Sequence, residues 1–115
     1  MNLSTTTSVI ITAIPALLII MSGFAKLAGT KQVVETMTKI GALQYMKVFA
    51  LAEILFAALF VIPATNGLGF VLCVCYFSGA LATDLTHGRK VVAPVVFLVM
   101  LFVVEWLVNS SIFLL

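Results

Sequence analysis

Apolar residues fill four long stretches of this chain, roughly Ser8–Leu27, Leu43–Ile62, Gly67–Leu85 and Val91–Leu115, and polar residues collect between them. A helix rises about 1.5 Å per residue, so about 20 apolar residues cross a hydrocarbon core about 30 Å thick. The stretches lack strand-like alternation, and backbone groups in lipid must be bonded within their own segment. The pattern predicts an all-α integral membrane protein: one domain over residues 1–115, built as a four-transmembrane-helix bundle.

The connections refine this picture. Between the first two spans, Lys31 to Ile40 places Val33, Met37 and Ile40 on one face with charges elsewhere, and Gly41 follows. This predicts a short amphipathic surface helix between helices 1 and 2. Pro63-Ala64-Thr65-Asn66-Gly67 reads as a tight turn, and Thr86-His87-Gly88-Arg89-Lys90 is equally short. Helices joined this closely are antiparallel neighbours.

Composition agrees: 63% of residues are hydrophobic and 9% charged, where a soluble domain carries about 25% charge. The bilayer is thus the first partner. The net charge of +2 is too small and scattered for nucleic acid. Lys26, Lys31, Lys39, Lys47, Arg89 and Lys90 all lie at or beside the first and third connections. The positive-inside rule puts those connections in the cytoplasm and both termini outside. No Lys or Arg precedes the first apolar run, which therefore reads as a retained helix rather than a removed signal.

Candidate chemistry lies in the polar residues at depth. Glu53 falls near the middle of the second span, on a stripe with Phe49, Phe56 and Phe60. An acid at the bilayer centre costs about 2.5–3.5 kcal/mol on insertion scales, so it must face protein or a cavity. Glu105 repeats the theme in the fourth span beside Trp106, farther from the cytoplasmic end than Glu53. These acids can handle protons or capture a ligand, and can equally form structural interhelical hydrogen bonds. Tyr76 matches Glu53 in depth and is its candidate hydrogen-bond partner. Lys26 ends the first span near the level of Asp84, which suggests an ion pair at the cytoplasmic rim or two side chains snorkelling into headgroups. His87 sits in a hydrophilic loop, where one imidazole near a carboxylate is a candidate to bind a ligand or shuttle a proton; with no second histidine or thiol nearby, no metal site is expected. Cys73-Val74-Cys75 sets its thiols on nearly opposite sides of a helix, where they pack as small apolar groups. Ser22-Gly23 and Ser78-Gly79 echo one another, each ahead of a span with one buried acid, as two parallel hairpin repeats would.

Read in order, Ser22-Gly23-Phe24-Ala25-Lys26-Leu27, Gly41, Ala52-Glu53, Ile62-Pro63-Ala64-Thr65, Gly67-Leu68-Gly69, Gly79-Ala80 and Asp84-Leu85-Thr86-His87-Gly88 resemble the DoxX-like family of small membrane proteins over nearly the whole chain. The resemblance implies a four-helix bundle in a bacterial inner membrane. It also implies a setting of quinone-linked sulfur oxidation, redox homeostasis or assistance to other membrane proteins, with Lys26 and Glu53 at the recurrent polar positions. The absence of Cys-x-x-Cys argues against disulfide exchange.

Three functions follow as expectations. The first is a binding or redox-accessory subunit that holds a quinone, a lipid or another apolar small molecule, or supports a membrane-protein partner, without a catalytic cycle of its own. Its slot would be lined by Phe49, Phe56, Phe60 and Trp106. The second is a proton-coupled small transporter working as a homodimer through Glu53. The small multidrug exporters share this layout but carry their acid in the first span, where this chain has none. The third is a membrane enzyme, such as an isomerase, using Glu53, Glu105 and Trp106 on an apolar substrate.

Overall fold

The structure, a computed structural model, describes residues 5–109. It holds five α-helices: α1 (Thr5–Ala28), α2 (Lys31–Lys39), α3 (Met46–Val61), α4 (Asn66–Thr86) and α5 (Val92–Val108). Short 3-10 turns at Leu43–Tyr45 and Pro63–Thr65 lead into α3 and α4, and no strand occurs among the described residues. Three segments are long and apolar enough to cross a membrane: Thr6–Ala28, Leu43–Val61 and Pro63–Thr86. The fourth, Val92–Val108, is equally apolar but shorter. The rest of the expected fourth span, from residue 110, lies outside the described residues.

The long helices close into a ring in which α1 and α4 each pack against both α3 and α5. Ala16 and Ile19 of α1, Ala57 and Phe60 of α3, Phe70, Cys73 and Phe77 of α4, and Leu101 and Val104 of α5 form the dry centre. The outer surface is also apolar, with Leu17, Met21, Leu51, Leu55, Leu68 and Val99 exposed. A helix apolar on every side suits hydrocarbon rather than water.

Turn chemistry fixes the joints. Gly29 (φ 66°) and Gly41 (φ 70°) adopt the left-handed conformation that closes α1 and α2. At the α3–α4 corner, the Thr65 hydroxyl donates to the Leu59 carbonyl at 2.8 Å and the Asn66 amide donates to the Phe60 carbonyl at 2.9 Å. These side chains satisfy carbonyls that the end of α3 leaves without partners. Just beyond, Gly69 packs so tightly that a side chain there would overlap the backbone of Leu59 and Phe60. The α3–α4 crossing is closest at this end.

The amphipathic helix occurs where the pattern placed it, but it does more than rest on a surface. Met37 is buried, Val33 and Ile40 are half-buried, and Thr36, Met37 and Ile40 roof a cavity inside the bundle.

Candidate functional site

Under α2 the four long helices line a partly open cavity of about 500 Å³, a volume within the range typical of small-molecule sites. Ser22 and Lys26 come from α1, Phe49 and Glu53 from α3, Tyr76, Phe77 and Asp84 from α4, Arg89 from the loop, and Phe97 from α5. Most of the lining is apolar, and two ion pairs supply its charge.

The inner pair is Lys26 with Glu53, which is 2% exposed. Lys26 Nζ donates to Glu53 Oε1 at 2.9 Å, to Oε2 at 3.2 Å and to Ser22 Oγ at 3.0 Å. An ammonium has three donors, and all three are used. Ser22 in turn lies 3.4 Å from Glu53 Oε1 and donates to it. Ser22 and Lys26 share a face one turn apart, so α1 presents them together to α3. Gly23, between them, lets α3 approach closely, for a side chain there would press on the Ile54 side chain and the Ala50 carbonyl.

The outer pair is Arg89 with Asp84, at 3.2 Å from Nε to Oδ1. Gly88 (φ 66°) turns the chain back so that the Arg89 amide also donates to the Asp84 carbonyl at 2.8 Å. Lys26 and Asp84 therefore neither pair with each other nor simply snorkel into headgroups, the two readings that the sequence left open. Each residue is paired, but Lys26 reaches deeper along its own helix, and Asp84 is taken by a cation five residues ahead in sequence.

Tyr76 lies within interaction range of the Glu53 carboxyl. Its ring meets Phe49 and Phe56 edge-on, with centroids 6.2 and 6.5 Å away, and packs on Phe77 at 5.1 Å. Of the expected slot residues, Phe49 lines the cavity, whereas Phe56, two turns farther along α3, does not. Phe60 does not line it, because it is fully buried in the dry centre where Gly69 presses on α3. Trp106 does not line it either: it is 57% exposed on the outer face of α5.

Two further candidates also lie elsewhere. His87 is exposed in its loop, where Nδ1 donates to the Thr83 carbonyl at 2.8 Å. Glu105 is fully buried toward the opposite end of the bundle. Asn66 and Asn109 are its polar neighbours, joined by a 3.3 Å bond from Asn109 to Asn66. Glu53 is seven residues, about 10 Å of helix rise, from Phe60, whose carbonyl holds Asn66. The dry centre separates the two acids. The Ser-Gly echo also ends in unlike surroundings, since Gly23 is packed and Gly79 has nothing within 4 Å. Cys73 is buried and Cys75 exposed, as opposite sides of one helix require.

Sequence reasoning passed over Ser22, Arg89, Met37 and Phe97 as site residues. Ser22 is signalled by its one-turn spacing to Lys26, Arg89 by its place just past Gly88, and Met37 by its apolar face. Phe97 carries no such signal. Among the described residues, no group of three or more His, Cys, Asp or Glu gathers to hold a metal.

No curated protein and no solved structure matches the chain. The model of the DoxX-like family matches residues 10–104, a segment that contains all five described helices' cores and both ion pairs. With a match over most of its length, the chain belongs to the DoxX-like family.

Proposed function

We propose that this protein binds a quinone- or lipid-like molecule in the cavity beneath α2, as an accessory to a redox or other membrane-protein partner in a bacterial inner membrane. All four apolar helices cross that membrane, with α2 and the Arg89 loop on the cytoplasmic side. The ligand's polar head sits at the Lys26–Glu53 pair and Tyr76, and its apolar body lies among Phe49, Phe77 and Phe97. One observation carries this reading: a buried, fully hydrogen-bonded charge pair opens onto an aromatic cavity large enough for a ligand. Ligand sites combine an apolar lining with a few placed polar groups in this way.

Other readings have less support. A proton-coupled transporter needs Glu53 to exchange partners, and Glu53 is held by Lys26 and Ser22. An enzyme working with both acids needs them within hydrogen-bond reach of one substrate, and the dry centre lies between them.

The test is native mass spectrometry of the protein gently extracted with its own lipids. The wild type is expected to retain a quinone- or lipid-sized molecule, and Glu53→Ala to lose it. An empty wild type, or equal retention by the variant, would sink the proposal.

A further inference from the structure

We propose that the ligand is a chain-bearing amphiphile already dissolved in the bilayer, that it enters sideways between α3 and α4, and that Gly79 keeps this passage open. The inference rests on the ligand-binding reading of the cavity and specifies its substrate class.

The two helices meet closely at one end and part at the other. Gly69 presses on the backbone of Leu59 and Phe60. Ten residues along α4, about 15 Å farther, Gly79 is exposed and a side chain there would meet nothing within 4 Å. Gly79 and Cys75 are both exposed, and both line the cavity. The cavity therefore has a side opening at their level.

Ring contacts show which side of α4 is open. Phe77 stacks on Phe97 of α5, with centroids 4.7 Å apart and planes at 16°. Tyr76, about 100° around the helix, meets Phe49 and Phe56 of α3. Cys75 and Gly79 lie beyond Tyr76, on the flank away from Phe77. The opening is on the α3 side, within the apolar segment Pro63–Thr86, so it faces hydrocarbon.

The polar end is covered by contrast. Met37 of α2 is buried over the cavity, and the Asp84–Arg89 clip holds the neighbouring loop. A solute arriving from water would have to displace that cover. A solute in the bilayer can slide its head inward while its chain remains in lipid, so burying the head does not require the chain to leave an apolar medium. Two sources share this chemistry: an isoprenoid-tailed quinone and an acyl-chain lipid.

The test uses the full chain in lipid nanodiscs and three probes: a long-chain benzoquinone, its tail-less parent ring and a phospholipid. Binding is read by native mass spectrometry for wild type, Gly79→Trp, Gly79→Leu and a lipid-facing control, Ser78→Trp. Whichever long-chain probe the wild type retains identifies the source. Gly79→Trp should weaken that binding by about tenfold or more, with Gly79→Leu intermediate. At equilibrium the tail-less ring, which leaves nothing in the passage once bound, should reach the same occupancy in all four proteins, and Ser78→Trp should match wild type. Unchanged long-chain binding in Gly79→Trp, or equal loss of ring and long-chain probe, would overturn the side passage while leaving a ligand-binding cavity. Failure of the wild type to bind any probe would overturn the ligand-binding reading and the passage with it.

Discussion

Replacing Lys26 with methionine keeps the length of the side chain and removes its charge. Glu53 then loses bonds of 2.9 and 3.2 Å and keeps only the Ser22 hydroxyl at 3.4 Å. Hydrogen bonds to charged groups contribute about 1.5–3 kcal/mol each, so two of them amount to about 3–6 kcal/mol. Stripping one partner from a buried ion pair costs about 3–5 kcal/mol, and the two routes agree. Lys26→Met should therefore lose about 3–5 kcal/mol of stability. Adding Glu53→Gln should recover most of that loss, because it removes the stranded charge. The assay is a double-mutant cycle on unfolding free energies in mixed micelles, followed by circular dichroism during titration with denaturing detergent. A loss below about 1 kcal/mol in Lys26→Met, the range of exposed pairs, would refute the reasoning. So would a double variant whose loss is the sum of the two single losses.

Three further outcomes follow from the packing. Gly69→Ala should destabilise the bundle by about 1–3 kcal/mol or more through overlap with the α3 backbone, whereas Gly79→Ala should leave the melting temperature unchanged or slightly raised; equal effects would contradict the close crossing. Glu105→Leu should lower stability by about 1–3 kcal/mol, because it takes a buried polar partner away from Asn66 and Asn109; an unchanged melting temperature would mean the carboxyl is not engaged. His87→Ala should stay within about 0.5 kcal/mol of wild type and retain the same bound molecule, and a change in retention would place the loop in the site.

Much of the fold was legible because bilayer solvation leaves few alternatives. The long apolar runs could only be helices, Pro63 marked the α3–α4 corner, and Gly41 sits at the end of α2 where a left-handed residue belongs. The site was legible residue by residue but not pair by pair. Matching depths suggested Lys26 with Asp84. Side chains on a helix lean toward its N-terminus, however, so a lysine at the C-terminal end of α1 reaches back into the bundle, toward Ser22 and Glu53. Which residue of α3 it meets depends on how the two helices slide past one another, which only packing decides. Trp106 and Phe60 were misplaced for a related reason. An almost uniformly apolar helix carries little sign of which side faces lipid, so its rotation cannot be read from its sequence. The cavity's roof was hidden too, since an amphipathic segment looks the same whether its apolar face meets lipid or a bundle.

The Lys26–Glu53 pair also bears on the order of synthesis. Lys26 closes the first long helix and Glu53 sits in the next, so the cation leaves the ribosome before the acid that it neutralises. An unpaired acid at mid-membrane costs about 2.5–3.5 kcal/mol on insertion scales, a penalty that a waiting ammonium on the preceding helix offsets. The second span can thus enter lipid as one half of a hairpin whose other half is already prepared to receive it.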